Sequence, residues 1–111
     1  MSWQYACKSG EIPENGMKEV KIGDVTVLLL KAGGTVFAIP PLCPHMDEPL
    51  VNGICDGTTL ICIKHLWQWD LRNGLPAGDA EIELLKYPVR EGADGNIEVL
   101  FKEELRYMYQ R

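Results

Sequence analysis

Two pairs of cysteine and histidine are the residues of this sequence best suited to chemistry. Cys43 and His45 form one pair, Cys62 and His65 form the other, and sixteen residues lie between the pairs. Thiolate and imidazole groups are the ligands that zinc and iron–sulfur clusters use in proteins. These are the only two histidines in the chain, and each stands beside a cysteine in a segment rich in turn-forming residues. The spacing therefore predicts a metal site built from two loops.

The order of the ligands separates two kinds of metal site. Structural zinc sites usually have C-x₂₋₄-C and H-x₃₋₅-H spacing, whereas here each pair mixes the two types, as C-x-H and C-x-x-H. A Rieske [2Fe–2S] centre needs two cysteines on one iron and two histidines on the other. We therefore expect Cys43 and Cys62 to bind an inner iron and His45 and His65 to bind an outer iron. A Cys₂His₂ zinc site in a binding module stays open as the alternative.

Short segments with strand-like patterns surround the two loops. Gly23-Asp24 and Gly33-Gly34 are tight-turn signals, and the apolar run between them predicts a strand buried on both faces. Pro40-Pro41 ends the sheet because proline cannot donate to a ladder. A short helix is predicted over residues 102–109. The predicted strands cover residues 3–8, 19–22, 25–31, 35–39, 59–63, 66–71, 84–90 and 97–101.

Composition limits the classes of function. The net charge is −5, which argues against binding to nucleic acid or to an anionic membrane. The first residues lack a signal-peptide pattern and the longest apolar run is too short to span a bilayer, so we expect a soluble cytoplasmic protein. Cys7, in a predicted strand, and Cys55, in a predicted loop, are expected to be bystander thiols. No arrangement for independent catalysis remains once both histidines are ligands.

The chain resembles Rieske-type ferredoxins over nearly its whole length. The resemblance rests on Cys43, His45, Cys62 and His65, on the run from His65 to Asp70 followed by Asn73-Gly74, and on Tyr87-Pro88-Val89. It implies a mostly β fold, an antiparallel β-sandwich of residues 1–111. A small cluster-binding sub-domain is inserted at roughly residues 40–78. It also implies a one-electron carrier that is not itself an enzyme.

Two departures from the high-potential Rieske proteins are expected to lower the potential. Those proteins pair an extra cysteine in each loop as a disulfide, and Glu48 and Lys64 stand at these positions; we expect an ion pair or two solvated charges. Trp67 and Trp69 replace a serine and a tyrosine whose hydroxyls bond to sulfur. Because hydrogen bonds to sulfur raise the reduction potential, we expect a reduction potential of about −150 mV, the low end of the Rieske range.

Among low-potential Rieske ferredoxins, the chain is most similar to the ferredoxin component of toluene and alkene monooxygenases. This implies a flavin- and NADH-dependent reductase as electron donor and a diiron hydroxylase as acceptor, in hydrocarbon catabolism. Docking is expected near His45 and His65, on an apolar collar of Met46, Leu66, Trp67 and Pro76. The ferredoxin of a ring-hydroxylating dioxygenase is the second reading, and the small Rieske subunit of a nitrite reductase is the third.

Overall fold

The computed structural model describes residues 2–44, 46–64, 66–77 and 80–110. Its described part is built from short strands joined by turns, with three single turns of 3₁₀ helix at Ser9–Glu11, Leu50–Asn52 and Met108–Gln110. None of these helical turns is long and apolar enough to cross a membrane. The strands are β1 (Ser2–Lys8), β2 (Met17–Ile22), β3 (Val25–Ala32), β4 (Thr35–Ile39), β5 (Ile54–Asp56), β6 (Thr59–Ile61), β7 (Gln68–Asp70), β8 (Pro76–Ala77), β9 (Val89–Glu91) and β10 (Asn96–Phe101).

The strands form three antiparallel sheets. Two three-stranded sheets, in the orders β1-β10-β9 and β2-β3-β4, approach each other where Ala38 and Tyr87 form an isolated bridge. The third sheet has four short strands in the order β5-β6-β7-β8 and carries the second Cys-His loop between β6 and β7. The mostly β, antiparallel architecture expected from the sequence is confirmed.

β3 is the strand on which both parts of the core are built. Residues Val27 to Leu30 have no exposed surface, which confirms a strand buried on both faces. Because side chains alternate along a strand, Leu28 and Leu30 pack into the core below the Cys-His loops, while Val27 and Leu29 pack into the core between the three-stranded sheets. β3 therefore contributes side chains to both core clusters, the one that contains Cys43 and Cys62 and the one between the three-stranded sheets.

The turn after β3 is held by a distant carboxylate. Glu14 accepts the backbone N–H groups of Gly33 (2.6 Å) and Gly34 (3.0 Å), and both glycines have positive φ, which residues with a Cβ rarely adopt. The strand predicted at residues 35–39 matches the observed β4, which begins directly after this turn.

The prediction of a helix over residues 102–109 is wrong. Only Met108–Gln110 forms a 3₁₀ turn, and the residues before it are extended or irregular. Their amides bond to side chains instead of an i→i−4 ladder: Leu105 N–H donates to the Tyr87 hydroxyl and Tyr107 N–H to Gln110 Oε1. Cys55 also differs from its prediction, because it lies in β5 and not in a loop.

Candidate metal centre

The first Cys-His loop begins at Cys43 and is closed by its own backbone. The Cys43 N–H donates to the Glu48 carbonyl at 2.9 Å, and Leu42 and Pro49 form an isolated antiparallel bridge just outside it. Cys43 is fully buried. His45 lies outside the described residues. The loop therefore presents a buried thiol at the base of a six-residue turn.

The second loop is closed in the same way. The Cys62 N–H donates to the Trp67 carbonyl at 2.8 Å, again over five positions, and Cys62 is 1% exposed. This loop joins β6 to β7, whose last pair before it is Ile61 and Gln68. Leu66 has a φ of 58°, the left-handed region that a leucine seldom enters, so the chain turns sharply directly after His65, itself outside the described residues.

The two loop cysteines meet in one core cluster. Cys43 and Cys62 pack in the same buried group as Leu60 and Trp69, and neither forms a disulfide. Two buried thiols at the bases of two matching loops provide the cysteine half of the donor set that a mixed Cys/His cluster requires. The described residues therefore fit the inner-iron side of a Rieske centre.

Tyr109 is a site residue that the sequence did not reveal. Its hydroxyl lies 2.7 Å from the Cys43 carbonyl oxygen and 2.6 Å from that of Met46, so the end of the described chain reaches back to the first loop. Burial, with the nearby Cys43 and Asp47, raises the pKa of Tyr109 to about 12. The hydroxyl is therefore a neutral donor at physiological pH.

The two tryptophans occupy different environments. Trp69 is fully buried and Trp67 is half-buried, and their rings meet edge-on at 6.2 Å, which confirms that at least one belongs to the core. The Trp69 indole N–H donates to the Ile82 carbonyl at 2.8 Å. Because an indole has a single donor, Trp69 has none left for a sulfur atom. The low potential expected from the sequence stays a prediction.

Glu48 and Lys64 do not form the ion pair that was one of two expectations. The ion pairs found between described residues are Lys18–Glu11, Arg72–Asp70, Arg90–Glu98 and Arg106–Glu104. Lys64 is exposed and Glu48 is half-buried, with its backbone carbonyl used to close the first loop. The reading of two solvated charges is the one that fits.

Comparisons with known proteins agree with this geometry. A family model described as a Rieske [2Fe–2S] domain matches residues 2–88. The methanesulfonate monooxygenase ferredoxin subunit of Methylosulfonomonas methylovora is 38% identical over 111 residues, covering 99% of this chain and 89% of that protein. The alkene monooxygenase ferredoxin component of Xanthobacter autotrophicus is 29% identical over 85 residues, covering 76% of this chain and 70% of that protein.

The fold gives the same answer as the sequence comparisons. A chain from the complex of reduced oxygenase and oxidized ferredoxin in carbazole 1,9a-dioxygenase superposes with a TM-score of 0.80 at 21% identity, covering 94% of this chain and 97% of that chain. The family model and the two relatives confirm the resemblance found in the sequence, and they support a Rieske cluster in place of the zinc alternative. The chain belongs to the Rieske [2Fe–2S] family, as an electron-transfer protein whose cofactor is a Rieske-type [2Fe–2S] cluster.

Proposed function

We propose that this chain is the ferredoxin component of a multicomponent monooxygenase. It takes one electron from an NADH-dependent flavin reductase and passes it to the diiron hydroxylase. The observation that carries the proposal is the pair of matching loops, each starting at a buried cysteine of one core cluster. The relative that covers nearly the whole chain is a monooxygenase ferredoxin subunit, which supports a monooxygenase as the electron acceptor.

Cys43, His45, Cys62 and His65 are the proposed ligands, with the cysteines on the inner iron and the histidines on the outer iron. A bound cluster of this type supplies a one-electron redox couple with a potential raised by its histidines. The chain contributes the burial of both thiols, which keeps water from the inner side of the centre. We take residues 1–111 as one domain with a cluster sub-domain at roughly residues 40–78. A cytoplasmic location stays a prediction.

The collar proposed for partner docking has one unusual member. Leu66 is 64% exposed and has a left-handed backbone, so it carries both an exposed apolar side chain and backbone strain beside His65. Strain retained at one residue is a reason to look for a function there. Met46 and Trp67 are half-buried and pack against the cysteine cluster, and Pro76 in β8 is half-buried. Leu66 is therefore the collar residue with most surface to offer a partner.

A ring-hydroxylating dioxygenase is the alternative acceptor. The observation that favours it is a relative named as the ferredoxin component of biphenyl 2,3-dioxygenase from Rhodococcus jostii, 27% identical over 74 residues, covering 67% of this chain and 69% of that protein. Both readings share the cofactor and the electron-carrier role and differ in the protein that receives the electron.

Two measurements test the proposal. Dithionite-reduced protein should give the rhombic EPR signal of a [2Fe–2S] cluster with mixed Cys/His ligation. A colourless protein with stoichiometric zinc would overturn the electron-carrier role. The reduced protein should then be mixed in a stopped-flow cell with a purified diiron hydroxylase and, separately, with a Rieske dioxygenase oxygenase. Faster oxidation by the dioxygenase oxygenase would overturn the monooxygenase assignment and leave the carrier role intact.

A further inference from the structure

The two Cys-His loops are supported unequally. The second loop continues directly from the paired strands β6 and β7, so regular sheet pairing holds both of its ends. Three contacts close the base of the first loop: the Cys43 to Glu48 and Leu50 to Pro41 hydrogen bonds and the Leu42–Pro49 bridge. Among the described residues, neither end of this loop continues directly from a strand of a sheet. A loop without paired strands at its ends depends more on other contacts if its side chains are to keep one orientation.

Tyr109 supplies contacts at the outer part of this loop. Both of its acceptors, the carbonyl oxygens of Cys43 and Met46, lie within the distance range of O–H···O hydrogen bonds. These two carbonyls stand on either side of Pro44 and His45. A phenol has one hydrogen, so the two carbonyls share a single donor and must both stay close to the same oxygen. Cys43 and Met46, the described residues on the two sides of Pro44 and His45, are thus held to the same hydroxyl oxygen.

The segment that carries Tyr109 is itself anchored, which makes it a fixed support. Tyr107 is 4% exposed, and its hydroxyl accepts the Leu85 N–H at 2.9 Å. The Tyr87 hydroxyl accepts the Leu105 N–H at 2.9 Å. In this tail segment, residues 102–110, Leu105 and Tyr107 are therefore hydrogen-bonded to the segment that precedes β9, and Tyr109 is hydrogen-bonded to the first loop.

We propose that Tyr109 is a positioning residue for the first ligand loop, holding the backbone on both sides of His45 and thereby setting the orientation of that imidazole. The inference rests on the proposed ligand role of His45. Tyr109 touches backbone carbonyls and is assigned no direct contact with the cluster.

The test replaces single hydroxyl groups in the intact holoprotein. Tyr109→Phe removes the donor to the loop, while Tyr107→Phe removes a hydroxyl from the same tail segment without touching the loop. Tyr5→Phe removes an exposed hydroxyl from β1, which belongs to neither Cys-His loop. The readouts are Tm, the EPR line widths and reduction potential of the reduced cluster, and hydrogen exchange of peptides spanning residues 42–50.

We expect Tyr109→Phe to broaden the EPR lines and to shift the reduction potential. Hydrogen exchange in the first loop should become about fivefold faster, which is the effect of losing one typical hydrogen bond. Tyr107→Phe loses one anchor of the tail segment but keeps the Tyr109 hydroxyl, so it should lower Tm with smaller changes in these readouts, and Tyr5→Phe should resemble wild type. Loss of the cluster in Tyr109→Phe alone also supports the proposal. Equal spectra and exchange in the two tail variants, or loss of the cluster in both, would overturn it. Since wild-type EPR is recorded first, absence of a Rieske signal there would instead count against the proposed function.

Discussion

Replacing Leu66 by asparagine tests whether the exposed collar is a docking surface. Leu66 is 64% exposed with a φ of 58°. Asparagine tolerates the left-handed region better than leucine does, so Leu66→Asn keeps the sharp turn after His65 while removing the apolar side chain. The variant therefore separates docking from the geometry of the second loop.

The size of the effect follows from the exposed fraction. Full burial of a leucine side chain contributes about 1.5–3 kcal/mol, so burying the exposed 64% against a partner contributes about 1–2 kcal/mol. This corresponds to roughly a 5- to 30-fold weaker complex when the side chain is removed. Stability should stay the same or rise, because leucine in this conformation costs about 1–2 kcal/mol that asparagine partly avoids.

The assay is steady-state turnover of the reconstituted oxygenase system at increasing ferredoxin concentration. The half-saturating concentration of Leu66→Asn should rise 5- to 30-fold, the range derived above, while the EPR spectrum and the rate at saturation stay at wild-type values. Tyr5→Asn is the matched control, since Tyr5 is 53% exposed on β1 of a different sheet and should leave half-saturation unchanged. An unchanged half-saturating concentration for Leu66→Asn, or the same rise in Tyr5→Asn, would refute the docking argument.

Three further predictions concern the ligands, the core and alkaline pH. His45→Ala and His65→Ala should each abolish the mixed Cys/His EPR signal, and a wild-type spectrum in either variant would exclude that residue as a ligand. Trp69→Phe should lower Tm by about 10 °C in thermal denaturation, because the Ile82 carbonyl loses its donor and the core loses volume; a drop below about 3 °C would contradict this. Burial raises the pKa of Tyr87 and Tyr107 above their usual 10.0, so the folded state favours the neutral phenols; stability should be fully present below pH 10 and be lost as pH rises beyond it. Tyr107→Phe should flatten that decline, measured by Tm from pH 8 to 11.5.

The strands that could be predicted from the sequence are those with strong local signals. β3 and β4 are long, apolar and separated by Gly33-Gly34, so residue type and turn chemistry alone define them. β5 and β8 have three and two residues, and β9 is shorter than the predicted strand at 84–90. Short strands such as these exist because a neighbouring strand supplies partners, and that information is not local.

Residues 102–110, the tail segment, show that local sequence also fails to predict contacts at the candidate metal centre. Leu105 and Tyr109 are four residues apart, a spacing that suggested one face of a helix. In the structure the Leu105 N–H bonds to Tyr87 and the Tyr109 hydroxyl bonds to Cys43 and Met46, 66 and 63 residues away. Contacts over such separations override a helical preference that a short polar segment can only weakly express. The proposed ligand pairs could be recognised from the sequence because Cys and His are rare, chemically specific and close together along the chain.

The support of the two loops also bears on how the carrier works. An electron carrier must change oxidation state while its ligands hardly move, yet its outer ligands must face a partner. In the second loop, β6 and β7 hold both ends, and Leu66, next to the proposed ligand His65, is exposed. The first loop is not flanked directly by paired strands, and in our proposal the Tyr109 hydroxyl takes over that task. Both loops are closed by an N–H to carbonyl hydrogen bond over five positions, yet we expect substitutions outside the loops to affect them differently. The first loop should depend on Tyr109, a residue that no sequence motif links to it.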